Sequence, residues 1–195
     1  MVEWRITNSV FTVAFNIVLP LSKIAEELQN LRDISIDYNP SRFSGLILYT
    51  NFTKENKKIK IIIFSSGLMN ITGLKNIEKL ISIIEKIREI FKRIGIDLPE
   101  AYELKVTNIV ISGKFDYDNI DLDKISSDFD NRNSRFPGIP IPYYISEDYK
   151  VTFNIFRNGR FVCTGIKSDI NNIEQTINNI VNSFQEKVIK KYAKQ

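Results

Sequence analysis

The chain has 195 residues, with 27 lysines and arginines against 23 aspartates and glutamates and a formal net charge of +4. Hydrophobic content of 43% and aromatic content of 11% suit a folded protein with a sizeable core and exclude a disordered tail. There is no histidine and Cys163 is the single cysteine, which removes the commonest general base, any Ser-His or Cys-His nucleophile, an internal disulfide framework and a cysteine metal cage.

Met1-Val2-Glu3-Trp4-Arg5 carries an early acidic residue and no apolar stretch follows, so it does not read as a signal peptide. No apolar run approaches the roughly 20 residues that span a bilayer, so a soluble intracellular protein without a membrane partner is expected. The first predicted element is a strand over residues 5–15, then a short helix over 21–31. Further strands run between 43 and 72, with a tight turn at Ser65-Ser66-Gly67. A long helix over 76–94 closes the segment, its apolar stripe made by Ile77, Leu80, Ile81, Ile84, Ile87 and Phe91 at helical spacing.

The same order then returns. A strand over 104–113 leads to a helix over 122–129, begun by Asp121 and Asp123. Strands between 136 and 164 turn at Arg157-Asn158-Gly159, and a helix over 169–192 carries Ile173, Ile177, Ile180, Val181, Phe184 and Val188 as its stripe. Short motifs recur in step with the elements. Thr7-Asn8-Ser9-Val10 returns as Thr107-Asn108-Ile109-Val110, and Arg42-Phe43-Ser44-Gly45 as Arg135-Phe136-Pro137-Gly138. Ile63-Phe64-Ser65-Ser66-Gly67 returns as Ile155-Phe156-Arg157-Asn158-Gly159, and Thr72-Gly73-Leu74-Lys75 as Thr164-Gly165-Ile166-Lys167. Four matches in one order identify a tandem duplication, residues 1–98 and 99–195, joined around Asp97-Leu98-Pro99-Glu100.

Strands followed by an amphipathic helix, done twice, predict an α+β protein with its helices on one sheet face. Strand alternation assigns the other face. Asn8, Val10 and Thr12 share it in the first repeat while Phe11 points to the helices; Asn108, Val110 and Ser112 share it in the second, opposite Ile109 and Ile111. Ile62 and Phe64 alternate in the same way with Ile61 and Ile63. From alternation alone this face fits either a ligand surface or a sheet buried in a larger assembly.

Tyr38-Asn39-Pro40-Ser41-Arg42-Phe43, the Ile-Phe-x-x-Gly turns, the Arg-Phe-x-Gly pair and the repeated Thr-Gly-x-Lys resemble the core of the TATA-box-binding proteins of archaea and eukaryotes. The resemblance covers nearly the whole chain and includes its duplication. It implies a saddle: a curved ten-stranded antiparallel sheet with four helices on the convex face and double-stranded A·T-rich DNA against the concave one. The implied function is that of a transcription initiation factor that bends promoter DNA from the minor groove, without a cofactor or metal. Minor-groove bending comes with the resemblance and is not a deduction from these residues.

Carried over motif by motif, the resemblance makes Phe43, Phe64, Phe136 and Phe156 the rings that wedge between base steps. It places Asn8 and Asn108 where amides donate to adenine N3 or thymine O2, and puts Val10, Thr72, Val110, Val162 and Thr164 on the groove floor. Arg42, Lys75, Arg135, Arg160 and Lys167 become phosphate contacts. Several positions depart from the pattern. Asn70 faces the groove where the family has valine, and Asn154 stands where leucine or isoleucine is expected. Leu68 replaces a basic residue, and Tyr49 and Pro142 fall near places where arginine binds phosphate. Pro140 and Pro142 would break a central strand, but the resemblance puts their strand at the sheet edge. Arg132 and Ser134 occupy the place of an acidic pair that recruits transcription factor B, which puts recruitment through the usual contacts in question. A protein-binding paralogue with weak DNA affinity is the alternative. A homodimer of the free protein is also expected, because an uncovered apolar face promotes self-association. No phosphate loop, metal-ligand spacing or nucleophile motif supports an enzyme.

Overall fold

A computed structural model describes residues 2–31, 34–50, 59–129 and 138–193. Packing divides the chain into a first unit, residues 8–107, and a second unit, residues 1–7 with 108–195. Among the described residues are four α-helices and nine strands, where the resemblance implied ten strands.

The first unit contains most of β1 (Glu3–Ala14), then α1 (Leu21–Gln29), β2 (Ile34–Asp37), β3 (Leu46–Thr50), β4 (Ile59–Ile63), β5 (Leu68–Thr72) and α2 (Leu80–Arg93). Its sheet runs β2-β3-β4-β5-β1, and every pair is antiparallel. Alternation sorts the residues as expected. Phe11, Val13, Leu46, Leu48, Ile61, Ile63, Met69 and Ile71 are buried, while Asn8, Val10, Thr12, Ile62, Asn70 and Thr72 on the reverse face are half-buried. Helices α1 and α2 turn Ile24, Leu28, Leu80, Ile83, Ile84, Ile87, Ile90 and Phe91 into this core.

The apolar stripe of α2 is displaced from the one predicted. Ile81 is 50% exposed, and Ile83 and Ile90 are buried in its stead. The predicted helix over 76–94 also opens as a 3-10 turn, Ile77–Lys79, with the Asn76 side chain accepting the Glu78 N–H at 2.9 Å. A cap that satisfies an orphan N–H costs less than extending the α-helix backwards.

The second unit contains most of β6 (Glu103–Lys114), then α3 (Leu122–Asp128), β7 (Ile139–Ser146), β8 (Tyr149–Ile155), β9 (Arg160–Ser168) and α4 (Ile173–Lys187). Strand β6 adjoins β9, and β9, β8 and β7 pair antiparallel. Its core is aromatic: Phe153 stacks on Phe184 of α4 with centroids 3.8 Å apart, and Phe115, Phe161 and Tyr143 surround that pair. Asp121 caps α3, its carboxylate accepting the Lys124 N–H at 3.1 Å. The C-terminal segment returns to that helix, where the Asp121 N–H donates to the Tyr192 carbonyl and the Tyr192 hydroxyl to Asp128. Desolvation, then the bond to Asp128, holds the Tyr192 phenol above its ordinary pKa.

Pro140 and Pro142 do not break β7. The strand lies at the sheet edge and pairs only with β8, in a register that matches Pro140 with Asn154 and Pro142 with Thr152. Two residues apart, both ring nitrogens fall on one side of the strand, where no ladder bond is required.

Phe153→Ala is expected to cost about 3–5 kcal/mol in urea unfolding, because it opens a cavity in the aromatic core, whereas Ile81→Ala stays within about 0.5 kcal/mol. Burial also pushes the Cys163 thiol well above its usual pKa, so the thiolate is absent at neutral pH. Cys163 is expected to resist thiol reagents in the folded protein and to react only as fast as the protein unfolds.

Candidate nucleic-acid interface

The half-buried sheet faces carry one arrangement twice. In the first unit the Gly73 N–H donates to the Asn8 side-chain oxygen at 3.1 Å; in the second the Gly165 N–H donates to that of Asn108 at 2.9 Å. Gly73 has φ 99° and Gly165 φ 88°, a left-handed backbone that a side chain adopts only with strain. The Thr-Gly motif therefore exists to aim an N–H at the asparagine of the neighbouring strand. With its carbonyl held, each asparagine has its NH2 group left to donate outward. In the first unit the adjoining hydroxyl is also tied down, buried Ser9 donating to the Leu74 carbonyl at 2.7 Å. Val10, Thr72, Val110, Val162 and Thr164 lie half-buried on the same faces.

The phenylalanines differ from the core rings. Phe43 is 42% exposed and meets Phe64 edge-on, centroids 5.9 Å apart, while Phe11, Phe91, Phe153 and Phe184 are fully buried. Phe64 and Phe156 stand just before the two predicted turns, which close alike: the Gly67 N–H donates to the Phe64 carbonyl and the Gly159 N–H to that of Phe156, each at 3.0 Å. Each turn is braced from behind. Phe15 and Leu19 donate to the Gly67 and Ser65 carbonyls, and Phe115 and Ile120 to those of Gly159 and Arg157. Phe136 and Arg135 lie outside the described residues, as do Arg132 and Ser134.

The final glycine of each Arg-Phe-x-Gly motif has a steric role that the sequence did not disclose. A Cβ on Gly45 would approach the Phe43 ring to 2.7 Å, and one on Gly138 the Phe156 ring to 3.0 Å. These glycines are the seats over which the Phe43 and Phe156 rings lie. The Phe-x-Gly order hinted at the Phe43 contact, whereas the Phe156 contact joins residues of two different motifs.

Arg42, Arg160, Lys75 and Lys167 are exposed. The Lys167 backbone is held by Tyr149, whose hydroxyl accepts from its N–H at 2.7 Å. Beside Phe156 an open cleft of about 740 Å³ is lined by Arg5, Ser112, Lys114, Arg160 and Val162, among others. Arg5 thus adds a cation that the motif comparison did not supply. The departures also lie on the open faces. Asn70 accepts a hydrogen bond from the Thr12 hydroxyl at 2.9 Å, and Thr12 lies 2.6 Å from that of Thr107. Asn154 is half-buried and its side chain makes no hydrogen bond among the described residues. Leu68 and Tyr49 are half-buried.

Residues 3–94 and 103–187 each match the family model described as transcription factor TFIID, or TATA-binding protein. The TATA-box-binding protein of Aeropyrum pernix is 31% identical over 187 residues, covering 94% of this chain and 85% of the relative. That of Pyrobaculum neutrophilum is 35% identical, covering 86% of this chain and 80% of the relative. Among solved structures, Methanococcus jannaschii TBP superimposes with a TM-score of 0.69 and 29% identity, covering 94% of this chain and 99% of that one.

Gly165→Ala is expected to lower stability by about 1–2 kcal/mol in denaturant titration, the cost of a side chain in the left-handed region. Asn108→Asp keeps an acceptor for the Gly165 N–H and is expected to melt close to the parent.

Proposed function

Because this chain belongs to the TATA-binding protein family, we propose that it binds A·T-rich promoter DNA in the minor groove and bends it, nucleating assembly of the transcription initiation complex. Each repeat serves one half of the site. Asn8 and Asn108 donate to the acceptors that A·T pairs present, adenine N3 and thymine O2. Val10, Val110, Val162, Thr72 and Thr164 pack against the groove floor, where a guanine amino group would collide with aliphatic carbon. Phe43 and Phe64 enter a base step at one end, and Phe156 with Phe136 at the other. Unstacking costs a few kcal/mol per step and is offset by the larger contact that bent DNA allows. Arg42, Lys75, Arg135, Arg160 and Lys167 neutralise phosphates, with Arg5 beside Phe156 as an additional cation.

The observation that carries this reading is the Phe43–Phe64 pair: two rings in edge contact, one of them 42% exposed, over a glycine with no room for a side chain. Leaving a large ring in water forfeits burial worth about 1.5–3 kcal/mol, a loss recovered when it enters a base stack. Arg132 and Ser134 oppose transcription factor B docking through the usual acidic contacts, so that factor engages other residues or engages weakly. A homodimer through the open faces is the expected state of the free protein.

Fluorescence energy transfer across a TATA duplex checks the reading. The parent is expected to bring the duplex ends together on TATA and not on a scrambled sequence, and the Phe43→Ala/Phe64→Ala double variant to bind with little bending. Affinity is expected to fall by more than about tenfold between 50 and 200 mM salt. A parent that leaves the TATA duplex straight supports the protein-binding paralogue instead.

A further inference from the structure

The two units are not chemically equivalent on their open faces, and the difference is an exchange. In the first unit Ile62 on β4 pairs with Asn70 on β5. At the matching places of the second unit Asn154 on β8 pairs with Val162 on β9. Each face therefore carries one asparagine and one aliphatic residue side by side, with the strands that hold them swapped. The asparagines also differ in state. Asn70 has its carbonyl engaged by Thr12, directly across in register, and Thr12 in turn by Thr107. Since Thr12 gives its proton to Asn70, Thr107 gives its own to Thr12, and Asn70 is left presenting its NH2 group. Asn154 lies between Val162 and Pro140, neither of which has a polar side-chain atom, and it makes no side-chain hydrogen bond among the described residues. Among the described residues, both halves of its amide are available to a ligand on the open face.

In the minor groove an A·T pair shows acceptors only, and a G·C pair adds one donor, the guanine 2-amino group. A face of aliphatic residues and outward NH2 groups rejects that donor, since it can neither accept the proton nor make room. Asn154 alone among these groove-facing side chains pairs a free carbonyl with a free NH2, which matches the guanine 2-amino donor and N3 acceptor together. We infer that Asn154 is a specificity-determining residue, accepting the guanine 2-amino group, so that one position in the half-site under the second repeat admits G·C while its counterpart under the first, faced by Ile62, admits only A·T. The recognised sequence is then not palindromic, and the protein has a preferred direction on it. This inference rests on the minor-groove reading above.

The test uses the full chain and an A·T-only TATA duplex in which each pair in turn is replaced by G·C or by inosine·C, which lacks the 2-amino group. For the parent, one position is expected to tolerate G·C within about threefold while others lose about tenfold or more and recover with inosine. In Asn154→Leu, that tolerant position is expected to lose about tenfold with G·C and nothing with inosine, each relative to the variant's own binding to the A·T-only duplex. Asn70→Val is expected to leave the tolerance in place. Thermal melting confirms that each variant folds. A uniform G·C penalty in the parent, or tolerance that survives Asn154→Leu, overturns the assignment while leaving minor-groove binding intact. Failure of the parent to bind the A·T-only duplex at 50 mM salt overturns the minor-groove reading itself, and this assignment with it.

Discussion

A single backbone N–H, aimed at an asparagine carbonyl, organises each open face. Gly73 supplies it to Asn8 and Gly165 to Asn108, and both need a left-handed backbone to do so. An asparagine amide can rotate end for end at little cost, so without this bond its donor and acceptor would exchange places. The bond settles which end looks outward. It also explains why the Thr-Asn motif and the Thr-Gly motif travel together: one holds the amide, the other orients it, and neither is useful alone. Glycine takes this left-handed backbone without the strain a side chain would bring, and so fixes the direction of the hydrogen bond.

Rigid seating of the exposed rings follows the same economy of parts. On the proposed minor-groove reading, a ring that enters a base stack cannot be buried in the core, yet it cannot be left to rotate freely without paying its ordering entropy on binding. Gly45 and Gly138 let the Phe43 and Phe156 rings approach the backbone closely, and the Phe64 and Phe156 turns are tied from behind by backbone bonds to the segments after β1 and β6. The rings are thus held in place by main chain on one side.

Duplication gives two copies of these devices, and divergence has altered the copies separately. The asparagine–aliphatic exchange between Ile62/Asn70 and Asn154/Val162 changes polarity without changing the sheet, because residues on the open face do not pack into the core. The contrast with the helix face is clear: Leu46, Ile61, Ile63 and Ile71 in one unit and Ile139, Val151, Phe153, Ile155 and Cys163 in the other are all buried and all apolar or nearly so.

Much of this was legible in the chain itself. Repeats show because each constraint had to be written twice; strand faces show because alternation has a period of two; the two turns show because only glycine meets their geometry cheaply. The edge position of β7, which the resemblance implied, suits Pro140 and Pro142, which no interior strand accommodates. What the sequence could not settle depended on partners far along the chain. Ile81 belongs to the helical stripe by spacing, yet the sheet meets α2 on the side of Ile83 and Ile90, and no local pattern tells a helix which flank its sheet covers. Asn70 and Asn154 are the same residue type on the same kind of surface. The register of β1 against β5 brings Thr12 to Asn70, while that of β8 sets Asn154 between Pro140 and Val162 with no side-chain partner among the described residues, because a hydrogen bond requires a distance that strand pairing determines.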